Sequence, residues 1–164
     1  MKMSGKGIEL LRSIEAFRDY AYDDQNGEEI EAWVPGATIG YGHLIEESEW
    51  NNYCGKTMGL LEAEILFSSD ITPFEFAVEA ACDDPPNSHQ FDAMVMLAFN
   101  IGIRGFQQSS AIKLINNSLA ITPYKNLEDA WKAWNKDRGK VVQGLVNRRN
   151  AEWDIFSKGI YARW

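Results

Sequence analysis

Residues 13–44 read SIEAFRDYAYDDQNGEEIEAWVPGATIGYGHL, and the periodicity of the chain changes within them. From Ser4 to Phe17 the apolar residues Ile8, Leu10, Leu11, Ile14 and Phe17 fall on one broad helical face, with Ser4 or Gly5 as N-cap. Glu15 projects between Ile8 and Leu11, inside that face and not opposite it. Past Tyr20 the pattern turns strand-like. Asn26-Gly27 is a hairpin signal because both positions tolerate positive φ. Pro35-Gly36 suits a second turn. Strands are therefore expected over 20–24, 28–34 and 37–43, making a small three-stranded antiparallel sheet.

The remainder reads as helix. A short helix is expected from Ser48, another from Thr57, and Asp83-Asp84-Pro85-Pro86 breaks the run. Ser88 is placed to cap HQFDAMVMLAFNIG, an almost wholly apolar helix that suits the centre of a core. SSAIKLINN, NLEDAWKAW and GLVNRRNAEWDIF supply further helices. No repeat or linker stands out, so the fold class is α+β.

Composition narrows the function. The 164 residues suit one domain or two lobes sharing a core. Residues 1–124 carry 7 Lys/Arg against 19 Asp/Glu, whereas residues 125–164 carry 9 against 5. The acidic bulk excludes nucleic acid and an anionic membrane surface as main partners. Cys54 and Cys82 are too few for a disulfide framework and lack ligand spacing; with His43 and His89 the only histidines, no structural zinc is expected. No signal peptide opens the chain and no apolar run approaches the ~20 residues of a membrane span. The expectation is a monomer made in the cytoplasm, with no cofactor and no membrane insertion, that reaches any outside target through a separate pore.

Glu15 and the Asp23-Asp24 pair suggest glycoside hydrolysis, which needs two carboxyl groups in unlike surroundings. Apolar neighbours disfavour the charged form of Glu15 and suit it to donate a proton. Asp24, beside a turn, is placed to stay ionised, and Thr38 brings a hydroxyl from the last strand. Each residue has a plainer reading. Glu15 can pair with Arg12 or Arg18. Aspartates accompany Asn-Gly turns, Thr38 is an ordinary strand residue, and Gly40 and Gly42 can mark a bulge.

Taken together, E-x8-D followed by TIGYGHL (Thr38 to Leu44) resembles the phage-type lysozymes, the muramidase family of T-even-phage-like endolysins. The resemblance extends through EAEILFSSDI, QFDAMVMLAFNIGIRGFQQSS and GLVNRR-x2-E, so it covers most of the chain. It implies a lysozyme-like fold: an N-terminal lobe over about 14–70 holding the sheet, a long helix, and a helical lobe over about 71–164 that includes helix 4–17. It implies hydrolysis, with inversion, of the β-1,4 bond between N-acetylmuramic acid and N-acetylglucosamine in peptidoglycan.

Position by position, the resemblance makes Glu15 the proton donor, Asp24 the group that directs water, and Thr38 the hydroxyl that helps place it. Leu44, Phe99, Asn100 and Ser109 match saccharide-lining positions, and Arg148 matches an arginine that supports the catalytic Glu. Core packing is the plain alternative for Phe99, and a helix-surface charge pair for Arg148 and Arg149. His43 reads as a hydrogen-bonding support behind the strand. The family pattern is interrupted by a longer stretch between Asp24 and Thr38, where EEIEAWVPG is expected to lengthen the hairpin with Asp24 and Thr38 kept on one face. A slipped register would instead put Asp23 in place of Asp24. The setting implied is phage lysis through a holin-like pore; an exported effector, a lytic transglycosylase and a non-catalytic cell-wall binding module are the alternatives.

Overall fold

A computed structural model describes residues 1–164. The architecture is α+β, mostly helical with a small three-stranded antiparallel sheet. The chain forms two compact units, residues 11–70 and residues 1–10 with 71–164. No helix is long and apolar enough to cross a membrane.

Helix α1 spans Gly5–Ile14, with the Ser4 hydroxyl accepting from the Gly7 amide at 3.1 Å. It stops three residues short of Phe17. Phe17 leaves the helix to pack its ring 5.3 Å from that of Tyr41, and strand β1 begins at once, at Arg18. Glu15 therefore stands just past the last helical turn, its amide still reaching the Leu11 carbonyl at 3.4 Å.

In the unit of residues 11–70, β1 (Arg18–Asp23), β2 (Ala37–Gly40) and β3 (His43–Leu44) form the antiparallel sheet in that order. Thr38 pairs with Tyr22 on one side and Leu44 on the other. Directly opposed residues share a face, so Tyr22, Thr38 and Leu44 form one row across the sheet. Ala21, Ala37 and Ile39 alternate to the other face, where they join Ile45, Met58 and Ala63 in the core.

The strand expected over 28–34 is absent. Only Glu29 bridges to Tyr22, and the rest of the insertion is irregular. The reason is the spacing of its apolar residues: Ile30, Trp33 and Val34 all pack on the sheet's core, which no period-two strand can achieve. The Trp33 indole donates to the Ile45 carbonyl at 2.9 Å and holds that path. The first strand begins two residues earlier than expected, and the single strand expected over 37–43 divides at the Tyr41-Gly42 turn into β2 and β3, which supply the second and third strands of the sheet. Downstream lie a 3-10 turn at Glu47–Glu49, α2 (Trp50–Tyr53), and α3 (Leu60–Ala81), which begins later than Thr57 and continues through Pro73.

In the unit of residues 1–10 and 71–164, α4 (Ser88–Ile101) is the central helix, buried from Phe91 to Ala98. Its cap is Asn87, not Ser88, because Asn87 and Gln90 bond each other's amides reciprocally. Fully buried Asp92 interrupts the apolar run; it accepts from the Ser4 amide at 2.8 Å, the Ser4 hydroxyl, and the Tyr161 phenol at 2.5 Å. Burial and that bond push the Tyr161 phenol up to about 12. Helices α5 (Ile103–Gln108), α6 (Ser110–Asn116), α7 (Leu127–Lys132) and α8 (Gln143–Lys158) follow.

A two-stranded ribbon, β4 (Lys136–Asp137) and β5 (Lys140–Val141), precedes α8 where only helix was expected. Arg138 (φ +46) and Gly139 (φ +79) make its turn, both in the left-handed region that a tight hairpin demands. Its charged residues are poor strand formers, and so the segment carries no strand pattern.

Candidate active site

The acidic residues of the first unit are placed by glycine and backbone geometry. Asp24 follows the last residue of β1 and lies opposite Gly36: its amide donates to the Gly36 carbonyl at 3.1 Å. The Thr38 hydroxyl donates to the same carbonyl at 2.9 Å. One carbonyl thus anchors both Asp24 and Thr38. Gly36 has φ +99, and a methyl group there would run into the Asp24 carboxylate. The glycine is required twice, by its backbone conformation and by the approach of the acid. Asp24 itself is exposed.

Asp23 is occupied otherwise. Its carboxylate accepts from the Gln25 amide at 2.9 Å, closing a local turn, and its backbone pairs with Ala37 on the core-facing side of the ladder. Tyr22 and Thr38 are paired on one face of the sheet; Asp24 follows in the turn, and both aspartate carboxylates approach Gly36, Asp24 the more closely. The insertion is a loop and not a longer hairpin, and the Gly36 carbonyl is what joins Asp24 to Thr38 across it.

Glu15, half-buried, lies close to the second glycine of the TIGYGH run. One of its carboxylate oxygens is 3.8 Å from where a Gly42 side chain would begin. Gly40 serves packing instead; a methyl there would lie 3.1 Å from the Met58 sulfur. The two arginines near Glu15 in sequence have partners of their own. Arg12 forms an ion pair with Glu64 at 2.6 Å, and Arg18 lies over the Tyr22 ring while donating to the Gly27 carbonyl.

Tyr22 links the carboxylates electrostatically. Partial burial raises its phenol above the ordinary value, the Arg18 guanidinium pulls it back, and Glu15 and Asp24 each push it up. Tyr22 stands on the Thr38–Leu44 row. Sequence reasoning passed over Tyr22, whose only signal is its place two residues before Asp24. At the centre of the row Thr38 is 5% exposed, and at its end Leu44 is 54% exposed.

His43 supports this sheet from the core side. Its Nδ1 lies 3.0 Å from both Asp70 carboxylate oxygens, and its Nε2 is 3.9 Å from Glu49. The Asp70 hydrogen bond raises its pKa above 6.5, burial opposes the rise, and the Asp70 and Glu49 charges add to it.

The remaining singled-out residues belong to the other unit. Phe99 is half-buried with its ring 5.1 Å from that of Phe74, and Asn100 is exposed on α4. Ser109 is almost fully buried and caps α6 by accepting from the Ile112 amide at 3.2 Å. Arg148 and Arg149 are not a surface pair. Both are buried and converge on Glu152, at 3.0 and 2.6 Å, while the Trp131 indole donates to the other Glu152 oxygen at 3.2 Å. Arg148 also donates to the Met96 carbonyl and stacks 5.4 Å from the Trp164 ring. Burial lowers the pKa of Arg149, with Arg148 adding to the fall and Glu152 opposing it. The GLVNRR-x2-E run is therefore, within this unit, a buried ion cluster.

The family and the fold have counterparts among known proteins. A profile described as Phage lysozyme matches residues 12–152. The endolysin of Bacillus phage PZA is 32% identical over 162 residues, which cover 97% of this chain and 56% of that protein. This chain spans about half the length of the first curated relatives it matches. Among solved structures, the endolysin from Escherichia coli O157:H7 phage FAHEc1 superposes with a TM-score of 0.79 at 30% identity, covering 99% of this chain and 98% of that one. The muramidase domain of SpmX from Asticaccaulis excentricus gives a TM-score of 0.74 at 28% identity, covering 96% of this chain and 98% of that one.

Proposed function

This chain belongs to the phage lysozyme family, and from that premise we propose that it is an endolysin-type muramidase acting on peptidoglycan. It hydrolyses the β-1,4 bond between N-acetylmuramic acid and N-acetylglucosamine, with inversion at the anomeric carbon. The observation that carries the reading is the shared Gly36 carbonyl, which anchors both Asp24 and Thr38, with Thr38 paired to Tyr22, whose phenol feels the charges of Glu15 and Asp24.

In this mechanism Glu15 gives its proton to the leaving glycosidic oxygen. Its place at the C-terminal end of α1, where the helix presents partial negative charge, opposes a further negative charge and suits a proton donor. Asp24 accepts one hydrogen of the attacking water. The Thr38 hydroxyl has committed its own proton to Gly36 and can only accept, so it takes the second hydrogen of the water. The water is left with a lone pair for the anomeric carbon. General acid and general base assistance are each worth about 10²–10⁴-fold.

For Leu44 the exposed position on the same row supports a saccharide contact. For Phe99, Asn100 and Ser109 as saccharide contacts, and Arg148 as support of Glu15, the proposal rests on the family pattern. The enzyme is proposed to work as a monomer without a cofactor, waiting in the host cytoplasm until a separate holin-like pore releases it to the wall.

Mass spectrometry of digested peptidoglycan tests the reading. Wild type should yield hydrolysed reducing ends, while Glu15→Gln yields no digestion at an unchanged fold. Anhydro ends would assign a lytic transglycosylase, and binding without products a cell-wall module. Asp24→Asn should cost far more activity than Asp23→Asn; equal losses would move the base role away from Asp24.

A further inference from the structure

We propose that Arg18 and Tyr22 act as a pair of positioning residues, Arg18 clamping the turn beside Asp24 and Tyr22 setting its phenol near Glu15 and Asp24. The proposal deepens the muramidase reading and rests on it. Arg18 opens β1, and the ladder to β2 is irregular between Arg18 and Tyr22. That irregularity brings the two side chains together, with the guanidinium carbon 4.3 Å from the centre of the Tyr22 ring.

The same guanidinium donates through Nη1 to the Gly27 carbonyl at 2.5 Å. Gly27 has φ +75, and a methyl group there would stand 3.3 Å from Nη2, so the planar group lies flush against bare backbone. The Gly27 amide donates to the Asp23 carbonyl at 2.7 Å, and the Asp23 amide to the Glu28 carbonyl at 2.9 Å. Residues 24–26 are therefore held at both ends, with Arg18 as the outer fastening. Without it the exposed turn keeps the Asp24–Gly36 backbone bond and its local Asp23 and Asn26 side-chain bonds, but nothing ties its far end at Gly27 to β1 beyond the Asp23 carbonyl.

Only arginine meets both demands. Its flat, delocalised cation stacks on an aromatic face while its N–H groups still reach a carbonyl, and an ammonium group cannot stack in this way. Tyr22 completes the device from inside the sheet. It is paired across the ladder with Thr38, so its phenol is carried by the strand that delivers Asp24 and faces the strand that delivers the hydroxyl. Partial burial raises its proton affinity first, and the charges of Glu15 and Asp24 add to the rise against the pull of Arg18.

The test combines kinetics with amide exchange on the full chain. Arg18→Ala should lower kcat roughly 10- to 100-fold through misplacement of Asp24. A positioning role leaves KM within about twofold. Arg18→Lys should recover only a minor part, whereas added methylguanidinium should partly rescue Arg18→Ala. Tyr22→Phe keeps the stack and should keep Gly27 amide protection, yet lose kcat. In Arg18→Ala the amides of Asp24 and Gly27 should exchange faster at an unchanged melting temperature. Unchanged exchange there, full activity in Arg18→Lys, or kcat in Tyr22→Phe equal to wild type would each overturn the proposal. If wild type releases no muropeptides, the muramidase reading fails and exchange alone decides the clamp. If wild type cleaves and the variants match it, the clamp fails and the reading stands.

Discussion

Asp70→Asn isolates the support beneath β3. His43 Nδ1 faces both Asp70 oxygens at 3.0 Å, and Nε2 is buried without a hydrogen bond, facing Glu49 at 3.9 Å. Its folded pKa is raised above 6.5, first by the Asp70 hydrogen bond. The folded state therefore holds this proton more tightly than the unfolded chain does. The resulting stability is fully present below the unfolded value and is lost as pH rises through the folded one. A hydrogen bond between charged partners contributes about 1.5–3 kcal/mol. Glu49, partly exposed, adds at most about 1 kcal/mol. Asp70→Asn should thus cost about 2 kcal/mol near pH 5.5, a fall in melting temperature of about 4–8 °C for a chain of this size, and much less near pH 9. Melting curves of both proteins across that range, followed by circular dichroism, measure it. A penalty independent of pH, or larger in alkali, would refute the reasoning.

Glu152→Gln leaves Arg148 and Arg149 buried without their counter-charge and should destabilise by about 3–5 kcal/mol, read as a lower urea midpoint. Gly36→Ala faces both positive φ and the Asp24 carboxylate; it should lose about 1–3 kcal/mol of stability. Its wall-clearing activity, followed by turbidity, should fall as far as that of Asp24→Asn. Asn87→Ala removes the cap of α4 and should cost about 0.5–2 kcal/mol in melting experiments, whereas Ser88→Ala should change little.

Much of the site was legible in order along the chain. The eight-residue gap from Glu15 to Asp24 and the Thr38–His43 run are local patterns, and the apolar spacing of α4 needs no partner to be recognised. Turn chemistry located Gly27 and Gly36 for the same reason: positive φ is a property of a residue and its neighbours. Tertiary contacts settled the rest. The path of residues 28–34 follows the burial of Ile30, Trp33 and Val34 on a core built partly by Met58 and Ala63, residues distant in sequence. The end of α1 was set by Phe17 finding Tyr41. The pairing of Tyr22 with Thr38 and of Asp23 with Ala37 depends on the register of β1 on β2. The charges of Arg148, Arg149 and Glu152 look like an ordinary helix surface until α7 places Trp131 over them. Local preference is written residue by residue; which charge is desolvated, and which face a strand turns inward, depends on groups that only folding brings within a few ångströms.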